Sequence, residues 1–125
     1  MHNKLVHKET GDSISVTIAS DGGKNTVLLV TGTILHEGDS SFDIIDTSVL
    51  TGKPTGLRLD SMVFLVESGL KVMLKYRDQP HIVPLEGRGR VDLDWIGGLI
   101  GHDLDLVCKG VGSFFIVLDI SKMGV

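Results

Sequence analysis

The residues with the clearest capacity for chemistry form an acidic group in the last third of the chain: Asp92, Asp94, His102, Asp103 and Asp105. Each pair of aspartates is spaced i, i+2, so on an extended strand both carboxylates of a pair lie on one face. Adjacent strands could bring the two pairs together, and several carboxylate oxygens are the ligands that calcium or magnesium takes. The alternative, which we favour, is a solvated face whose carboxylates pair with Arg88 and Arg90, because surface charge is common on strands. Both interpretations remain open at this point.

The run Glu86-Gly87-Arg88-Gly89-Arg90 places two guanidinium groups where they could clamp a phosphate or a carboxylate. A nucleic-acid site would also need aromatic side chains for base stacking, and the chain has one Trp, one Tyr and four Phe. The formal net charge of −4 further disfavours general nucleic-acid binding. We therefore interpret the run as part of a subunit interface or as a source of local ion pairs.

Motifs for phosphate loops, nucleophiles and zinc sites are incomplete. Gly52-Lys53-Pro54-Thr55 has Thr47 in place of the first glycine of a phosphate-binding loop and Pro54 in place of its final Ser or Thr, so we predict a plain loop. No Gly-x-Ser-x-Gly turn is present, and Cys108, the single cysteine, falls on the inward face of a predicted strand. The histidines lack the i, i+4 spacing of a helical zinc site: His2, His7, His36, His81 and His102. We predict no catalytic, cofactor-binding or metal site, and no enzyme activity.

Length and composition predict a single β domain. The chain has 125 residues, with 16 glycines between short runs of Val, Ile, Leu and Thr, and little of it has helical spacing. One cysteine excludes an intramolecular disulfide and fits a reducing compartment. The sequence has no signal-peptide pattern and no run of about 18 apolar residues. We therefore expect synthesis in the cytoplasm and no membrane partner.

A long β-hairpin is predicted over Leu57 to Arg77, and the other strands are placed around it. From Leu70 to Arg77, apolar and cationic residues alternate with the period of a strand that buries one face. The glycine of Glu67-Ser68-Gly69 supplies the positive φ that a short hairpin loop needs. We therefore expect the two arms to pair with each other.

The first half of the chain is predicted as an arm followed by strands. Residues 1–12 are polar and are predicted to be a flexible N-terminal arm, and the sandwich domain spans residues 13–125. A bulge or bend is expected at Gly32, inside the second strand. The Ile, Thr and Val content of Phe42–Leu50 favours a strand. The alternative for this segment is a helix, because its apolar residues are also spaced helically: Phe42, Ile45 and Val49.

The later strands alternate in the same way. Over Gly87–Trp95 the apolar residues lie on one side and the charged residues on the other, so Trp95 is predicted to face inward. Eight or nine strands, with turns about every eight to twelve residues, are typical of two packed sheets or a barrel. We predict an all-β, single-domain antiparallel β-sandwich of the jelly-roll-like or Ig-like kind.

Several segments between Leu57 and Lys122 resemble, in their order, small β-rich virion structural proteins of tailed bacteriophages, particularly those of marine hosts. The segments are Leu70-Lys71-Val72-Met73-Leu74, Leu85-Glu86-Gly87-Arg88-Gly89, Trp95-Ile96-Gly97-Gly98-Leu99, Asp105-Leu106-Val107-Cys108-Lys109-Gly110 and Phe115-Ile116-Val117-Leu118-Asp119-Ile120-Ser121-Lys122. The resemblance implies a non-enzymatic capsid decoration or cement protein on the surface of the virion. Its implied partners are the major capsid protein and further copies of itself, as a trimer or another homo-oligomer, without nucleic acid.

Two alternatives to capsid decoration are kept. Within the same class, the protein could be a neck or tail component of the virion. From another class, a small β-sandwich module that binds carbohydrate or peptide would fit, although such modules usually display more aromatic residues than Trp95 and Tyr76. The expected contact surfaces are the N-terminal arm and the loops His36–Ser41, Gly52–Gly56 and Gly97–His102.

Overall fold

The computed structural model describes residues 2–9, 12–35, 39–45, 50–77, 79 and 82–124. Strands dominate these residues, as the composition predicted. They are β1 (His2–Glu9), β2 (Asp12–Asp21), β3 (Asn25–Ile34), β4 (Asp39–Ile45), β5 (Gly56–Val66), β6 (Leu70–Tyr76), β7 (Ile82–Leu85), β8 (Arg88–Asp92), β9 (Leu99–Gly101), β10 (Leu104–Gly110) and β11 (Gly112–Met123). One 3-10 turn, Asp94–Ile96, interrupts them. No helix in the described ranges is long and apolar enough to cross a membrane.

The strands form two antiparallel sheets that share one core. The large sheet has seven strands in the order β1-β2-β3-β11-β5-β8, with β9 also paired to β5, and the small sheet has four in the order β4-β10-β6-β7. The chain changes sheet at almost every connection after β3, so that β3-β11-β5-β8 packs against β4-β10-β6-β7. Two four-stranded layers connected in this way are the jelly-roll arrangement. The predicted β-sandwich is therefore confirmed, with more strands than the eight or nine expected.

The predicted hairpin over Leu57–Arg77 is wrong in its pairing. Strand β5 pairs with β11, β8 and β9 in the large sheet, whereas β6 pairs with β10 and β7 in the small sheet. The turn at residues 67–69 thus carries the chain from one sheet to the other. Its geometry is as predicted, because Gly69 has a φ of 95° and the Leu70 N–H donates to the Glu67 carbonyl over 3.2 Å. Side-chain alternation is the same whether two strands pair or stack, so it does not distinguish the two arrangements.

The core lies between the two sheets and is built from the predicted inward faces. Alternate residues are buried there along β6, most of β10 and β11, and the first half of β2, including Ile14, Leu74, Leu106 and Ile116. Gly32 belongs to this face and is not a bulge, since it pairs regularly with Ile14 on one side and Phe114 on the other. A Cβ on Gly32 would lie 2.6 Å from side-chain atoms of both neighbours. A larger residue at position 32 would therefore collide with the side chains of Ile14 and Phe114.

Tyr76 ties the two sheets together at one end. It leaves the small sheet from the end of β6, and its hydroxyl lies 3.1 Å from the Leu57 carbonyl and 2.9 Å from the Leu99 carbonyl, both in the large sheet. Burial raises the pKa of the phenol well above its usual range, so the hydroxyl remains a donor. Gly101 sits against the ring, where a Cβ would be 2.3 Å from the Tyr76 Cγ.

Two segments of the first half differ in part from their predictions. The segment predicted as a flexible arm, residues 1–12, contributes the edge strand β1, which pairs with β2, and the start of β2 itself. The strand predicted over Phe42–Leu50 is present as β4, Asp39–Ile45, and buries Phe42 and Ile44. Residues 1, 10–11, 36–38 and 46–49 lie outside the described residues, so the predicted loop His36–Ser41 is described only at its end, where Ser40 and Ser41 belong to β4.

Candidate functional site

The structure does not bring the acidic group together. Asp92 ends β8 in the large sheet and Asp94 begins the 3-10 turn, whereas Asp103 and Asp105 lie at the start of β10 in the small sheet. Among the described residues, no three histidine, cysteine, aspartate or glutamate side chains form a metal-binding group. The hypothesis of one divalent-cation site shared by the two aspartate pairs is therefore not supported by their placement.

Arg77 neutralises the second aspartate pair. Its guanidinium lies 2.9 Å from Asp105 Oδ1 through Nη2 and 3.3 Å from Asp103 Oδ2 through Nη1, and Nη2 also lies 3.2 Å from Asp43. Hydrogen bonding and charge attraction, first of all with Asp105, raise the pKa of Arg77. The predicted arginine partners were wrong, because Arg88 and Arg90 lie in the other sheet and make no ion pair with any described residue. Arg77 directly follows β6, and the pairing of β6 with β10 brings it close to Asp103 and Asp105.

A second polar cluster marks a β-bulge in β5 that the sequence did not predict. The register of β5 against β11 shifts between Ser61 and Leu59, so that Asp60 is the extra residue. Its carboxylate accepts a hydrogen bond from Arg58 Nε over 2.7 Å and one from the Ser121 hydroxyl, and Arg58 Nη2 lies 3.1 Å from the same hydroxyl. Both carboxylate oxygens are thus engaged. The cluster holds the bulge in place and leaves no free base beside the serine.

Lys122 is a buried cation that joins three segments. Its ammonium donates to the Gly22 carbonyl over 2.5 Å and to the Thr51 carbonyl over 2.9 Å, and it forms an ion pair with Asp21. Burial by itself would raise the pKa of Asp21, but hydrogen bonds from Lys122 and from the Thr51 N–H outweigh it and lower that pKa below 3.8. The cluster fixes the β2–β3 turn and the loop at residue 51 against β11.

The remaining sequence candidates have structural roles in the described chain. The loop Gly52–Thr55 is a plain turn, in which the Lys53 N–H donates to the Leu50 carbonyl over 3.1 Å and the Thr55 N–H to the Met123 carbonyl over 2.9 Å. Cys108 is completely buried on the inner face, as predicted. Burial raises the pKa of its thiol to about 12, so it is protonated and inert at neutral pH.

The outer face of the large sheet carries an exposed apolar surface, which we call the face patch: Val63, Leu65 and Phe115. Their exposed fractions lie between 43% and 53%. Phe115 pairs with Leu65, and Leu65 pairs in turn with Arg88. Phe115, Leu65 and Arg88 therefore form one row across β11, β5 and β8. Val63 lies in the next row, beside Arg90. Together these residues line a shallow groove of about 550 Å³.

A second group of exposed apolar residues lies along residues 95–100, and Trp95 is the most exposed large apolar residue of the described chain, at 82%. Ile96 and Ile100 are also about half exposed beside it in the chain. The prediction that Trp95 faces inward was wrong, because β8 ends at Asp92 and Leu93 is the last inward residue. After Leu93 the chain turns, and the alternation of a strand no longer applies.

The backbone around Trp95 is held by several hydrogen bonds, and we call residues 93–98 the Trp95 turn. The N–H groups of Ile96 and Gly98 donate to the Leu93 carbonyl over 3.1 and 2.8 Å, and the Gly97 N–H donates to the Asp94 carbonyl over 2.9 Å. Gly97 and Gly98 have φ values of 85° and 79°, which favour glycine. The turn therefore presents the indole ring on a defined backbone.

A polar groove of about 560 Å³ lies at the end of the sandwich where the chain changes sheet. It is lined by the turn at residues 67–69 and by Glu86 and Gly87, with Lys71 and Lys109 at its side. Lys71 and Lys109 are direct cross-strand partners on β6 and β10. The groove has the volume of a small-ligand site, and its lining carries both signs of charge.

Comparison with protein-family models and with curated proteins finds no match to this chain.

Proposed function

We propose that this protein is a non-enzymatic structural protein of a bacteriophage virion, most specifically a decoration or cement protein that binds the major capsid protein on the outer surface of the head. The observation that carries the proposal is the exposed Trp95 on its fixed turn. Copies of the same chain are proposed as its second partner.

The exposure of Trp95 supports an attachment role on energetic grounds. Tryptophan is enriched among the few residues that dominate binding energy at protein interfaces, because it buries a large rigid surface with little loss of side-chain entropy. A ring exposed to 82% in the free protein has nearly all of that surface left to bury. Two further apolar residues close to it in the sequence, Ile96 and Ile100, are about half exposed.

The Trp95 turn overlaps one of the segments that resemble phage virion proteins. Trp95-Ile96-Gly97-Gly98-Leu99 is one of the runs that resemble phage virion proteins, and Gly97–His102 was among the loops expected to make contacts. The jelly-roll frame supplies a rigid support for such a loop, since both flanking strands pair with β5. The Trp95 turn is therefore proposed to insert into an apolar pocket on or between subunits of the capsid lattice.

Sedimentation with purified particles tests this proposal. Head and tail fractions of the virus that encodes the chain would be stripped of this protein, mixed with the wild type or with W95A, and pelleted. We expect the wild type to pellet with heads, and W95A to bind at least about tenfold more weakly, since an interface anchor contributes about 2 kcal/mol or more. L35A is the matched control, because Leu35 is also an exposed apolar residue, at the end of β3.

The outcomes separate the alternatives. Wild-type binding to tails and not to heads would replace decoration by a neck or tail role, and binding to neither would refute a virion role. Equal binding of W95A and wild type to heads would show that the Trp95 turn is not the anchor. Circular dichroism should show that both variants are folded, since neither side chain lies in the core.

A second candidate function, a small carbohydrate- or peptide-binding module, is favoured by the polar groove between Glu67 and Lys109. Carboxylates and ammonium groups on one groove wall can bond sugar hydroxyls or the ends of a peptide. A glycan and peptide array probed with the wild type and with K71A tests it. Specific signal that K71A abolishes would support this function, and an array without signal would remove it.

A further inference from the structure

The face patch has charged borders of opposite sign. Arg88 and Arg90 flank it on β8, as the cross-strand partners of Leu65 and Val63. The next row of the same face is acidic, because Asp119 on β11 pairs with Ser61 on β5, and Ser61 pairs with Asp92 on β8. The patch is thus bounded by two cations along one edge and by two carboxylates along an adjacent side.

These charged side chains have no charged partner in the described chain, although Asp92 Oδ1 accepts a hydrogen bond from the Asp94 N–H over 3.1 Å. Arg88, Arg90, Asp92 and Asp119 are all exposed, and none of them makes an ion pair with another described residue. This contrasts with Arg58 and Arg77, which are both engaged with carboxylates in the described chain. Val117, half-buried between Val63 and Leu29, continues the apolar surface toward β3.

We propose that the face patch is the site at which a second copy of this chain binds, with the arginines of one copy against the aspartates of the other. In a two-fold contact, a surface meets itself, and residue i of one copy faces residue j of the other while j faces i. Because the arginine edge and the acidic row are adjacent sides of this face, a two-fold axis along the diagonal between them places the arginine edge of one copy over the acidic row of the other. The apolar rows would then be stacked at the centre, with ion pairs on both sides.

A second copy fits these observations better than an unrelated partner does. A partner of one charge sign would match either the arginine edge or the aspartate row, and it would repel the other. The inference rests on the self-association part of the proposed function and is independent of attachment through the Trp95 turn, which lies beyond the end of β8.

The size of the face sets the strength expected of the contact. Four strands spaced by about 4.8 Å and six residues rising about 3.4 Å each give an area of about 19 by 20 Å, or about 400 Å² in plan. Standard interfaces bury about 800 Å² per partner. We therefore expect a weak dimer, with a dissociation constant of the order of 10–100 μM at low salt, which crowding on a particle surface would favour.

Charge reversal in two complementary variants tests the inference. Sedimentation equilibrium would be measured for the wild type, for R88E/R90E, for D92K/D119K and for an equimolar mixture of the two variants. Each variant alone places like charges on both borders, so we expect at least a tenfold weaker association. The mixture restores opposite charges at every contact, so we expect a heterodimer about as strong as the wild-type dimer. The matched control, K24E/K53E, changes the same number of charges at exposed lysines outside both the face patch and the polar groove.

A wild type that stays monomeric up to about 1 mM, variants that associate like the wild type, or a mixture that fails to restore association would each refute the inference. Added sodium chloride should also weaken the wild-type dimer, since exposed ion pairs are screened above about 0.1 M salt. Failure of self-association leaves head binding by the Trp95 turn as a separate measurement, so the two proposals can fail independently.

Discussion

Lys122 provides the sharpest test of how this sandwich is held together. Its ammonium is fully buried, faces Asp21, and donates to the carbonyls of Gly22 and Thr51. In K122M the unbranched stem is kept while the charge and its donors are removed. The substitution leaves the Asp21 carboxylate without its counter-charge and two carbonyls without their donor, so we expect a large loss of stability.

The size of that loss follows from the burial of the pair. Removing one member of a buried ion pair costs about 3–5 kcal/mol, and Asp21 keeps 20% of its side chain exposed, which places the expected cost near the lower end, at about 3 kcal/mol. A domain of this size is stable by about 5–15 kcal/mol. With a urea dependence of about 1.5–2 kcal/mol per molar, the unfolding midpoint should fall by about 1.5–2 M.

The effect should also depend on pH in a defined direction. The pKa of Asp21 is lowered below 3.8 in the folded protein. A carboxylate with a lowered pKa contributes stability that is present above the unfolded-state pKa and is lost as the pH falls through the folded-state value. The difference in unfolding free energy between wild type and K122M should therefore be constant from pH 7 to about pH 5 and shrink below about pH 4.

The measurement is urea unfolding followed by circular dichroism, because Trp95 is already exposed in the folded protein and its fluorescence would report little. K24M is the matched control, since Lys24 is exposed in the same β2–β3 turn and its loss should change stability by less than about 0.5 kcal/mol. A free energy of unfolding for K122M within about 1 kcal/mol of the wild-type value would refute the reasoning. So would a difference that does not shrink in acid.

Two further predictions concern the inner face. In G101A the new Cβ would lie 2.3 Å from the Tyr76 ring, and the ring cannot easily move because its hydroxyl is bound to the Leu57 and Leu99 carbonyls. We therefore expect the free energy of unfolding, measured in urea, to fall by about 1–3 kcal/mol. An unchanged unfolding midpoint would contradict the described packing. Cys108 is buried with its pKa raised to about 12, so the native protein should react with a disulfide reagent at pH 8 only as fast as it opens, and rapid labelling without denaturant would contradict its burial.

The sequence predicted well those features that depend on the period of a single strand. Alternation from Leu70 to Arg77 predicted one buried face, and Leu70, Val72 and Leu74 are all buried. The same reasoning correctly placed Cys108 inside and the arginines of β8 outside. These assignments succeed because the two faces of a strand follow directly from the chain, whatever the strand pairs with.

Features that depend on which strands meet were not predictable in this way. The arms of the expected hairpin each have the right faces, but β5 and β6 lie in opposite layers. The acid partners of Arg77 come from β4 and from the start of β10, which are close to it only in the folded molecule. A pattern with period two carries no information about register or sheet membership over such separations.

Local interruptions of a strand caused the remaining errors. Trp95 was assigned inward because the alternation was continued past Asp92, whereas the backbone leaves the strand at Leu93. The extra residue at Asp60 was missed for the same reason, since a bulge shifts the alternation by one without a glycine or proline to mark it. Trp95 lies on a candidate contact surface, so that error fell where function is proposed.

The central place of β11 has a consequence for how the molecule is made. This strand is the last one described in the sequence, and it lies between β3 and β5, where it joins two halves of the large sheet that otherwise do not pair. During synthesis the apolar surfaces of the earlier strands stay exposed until β11, Gly112–Met123, has left the ribosome. Folding should therefore be late and slow, dominated by distant contacts, and an unfilled gap between β3 and β5 could accept β11 from a neighbouring chain.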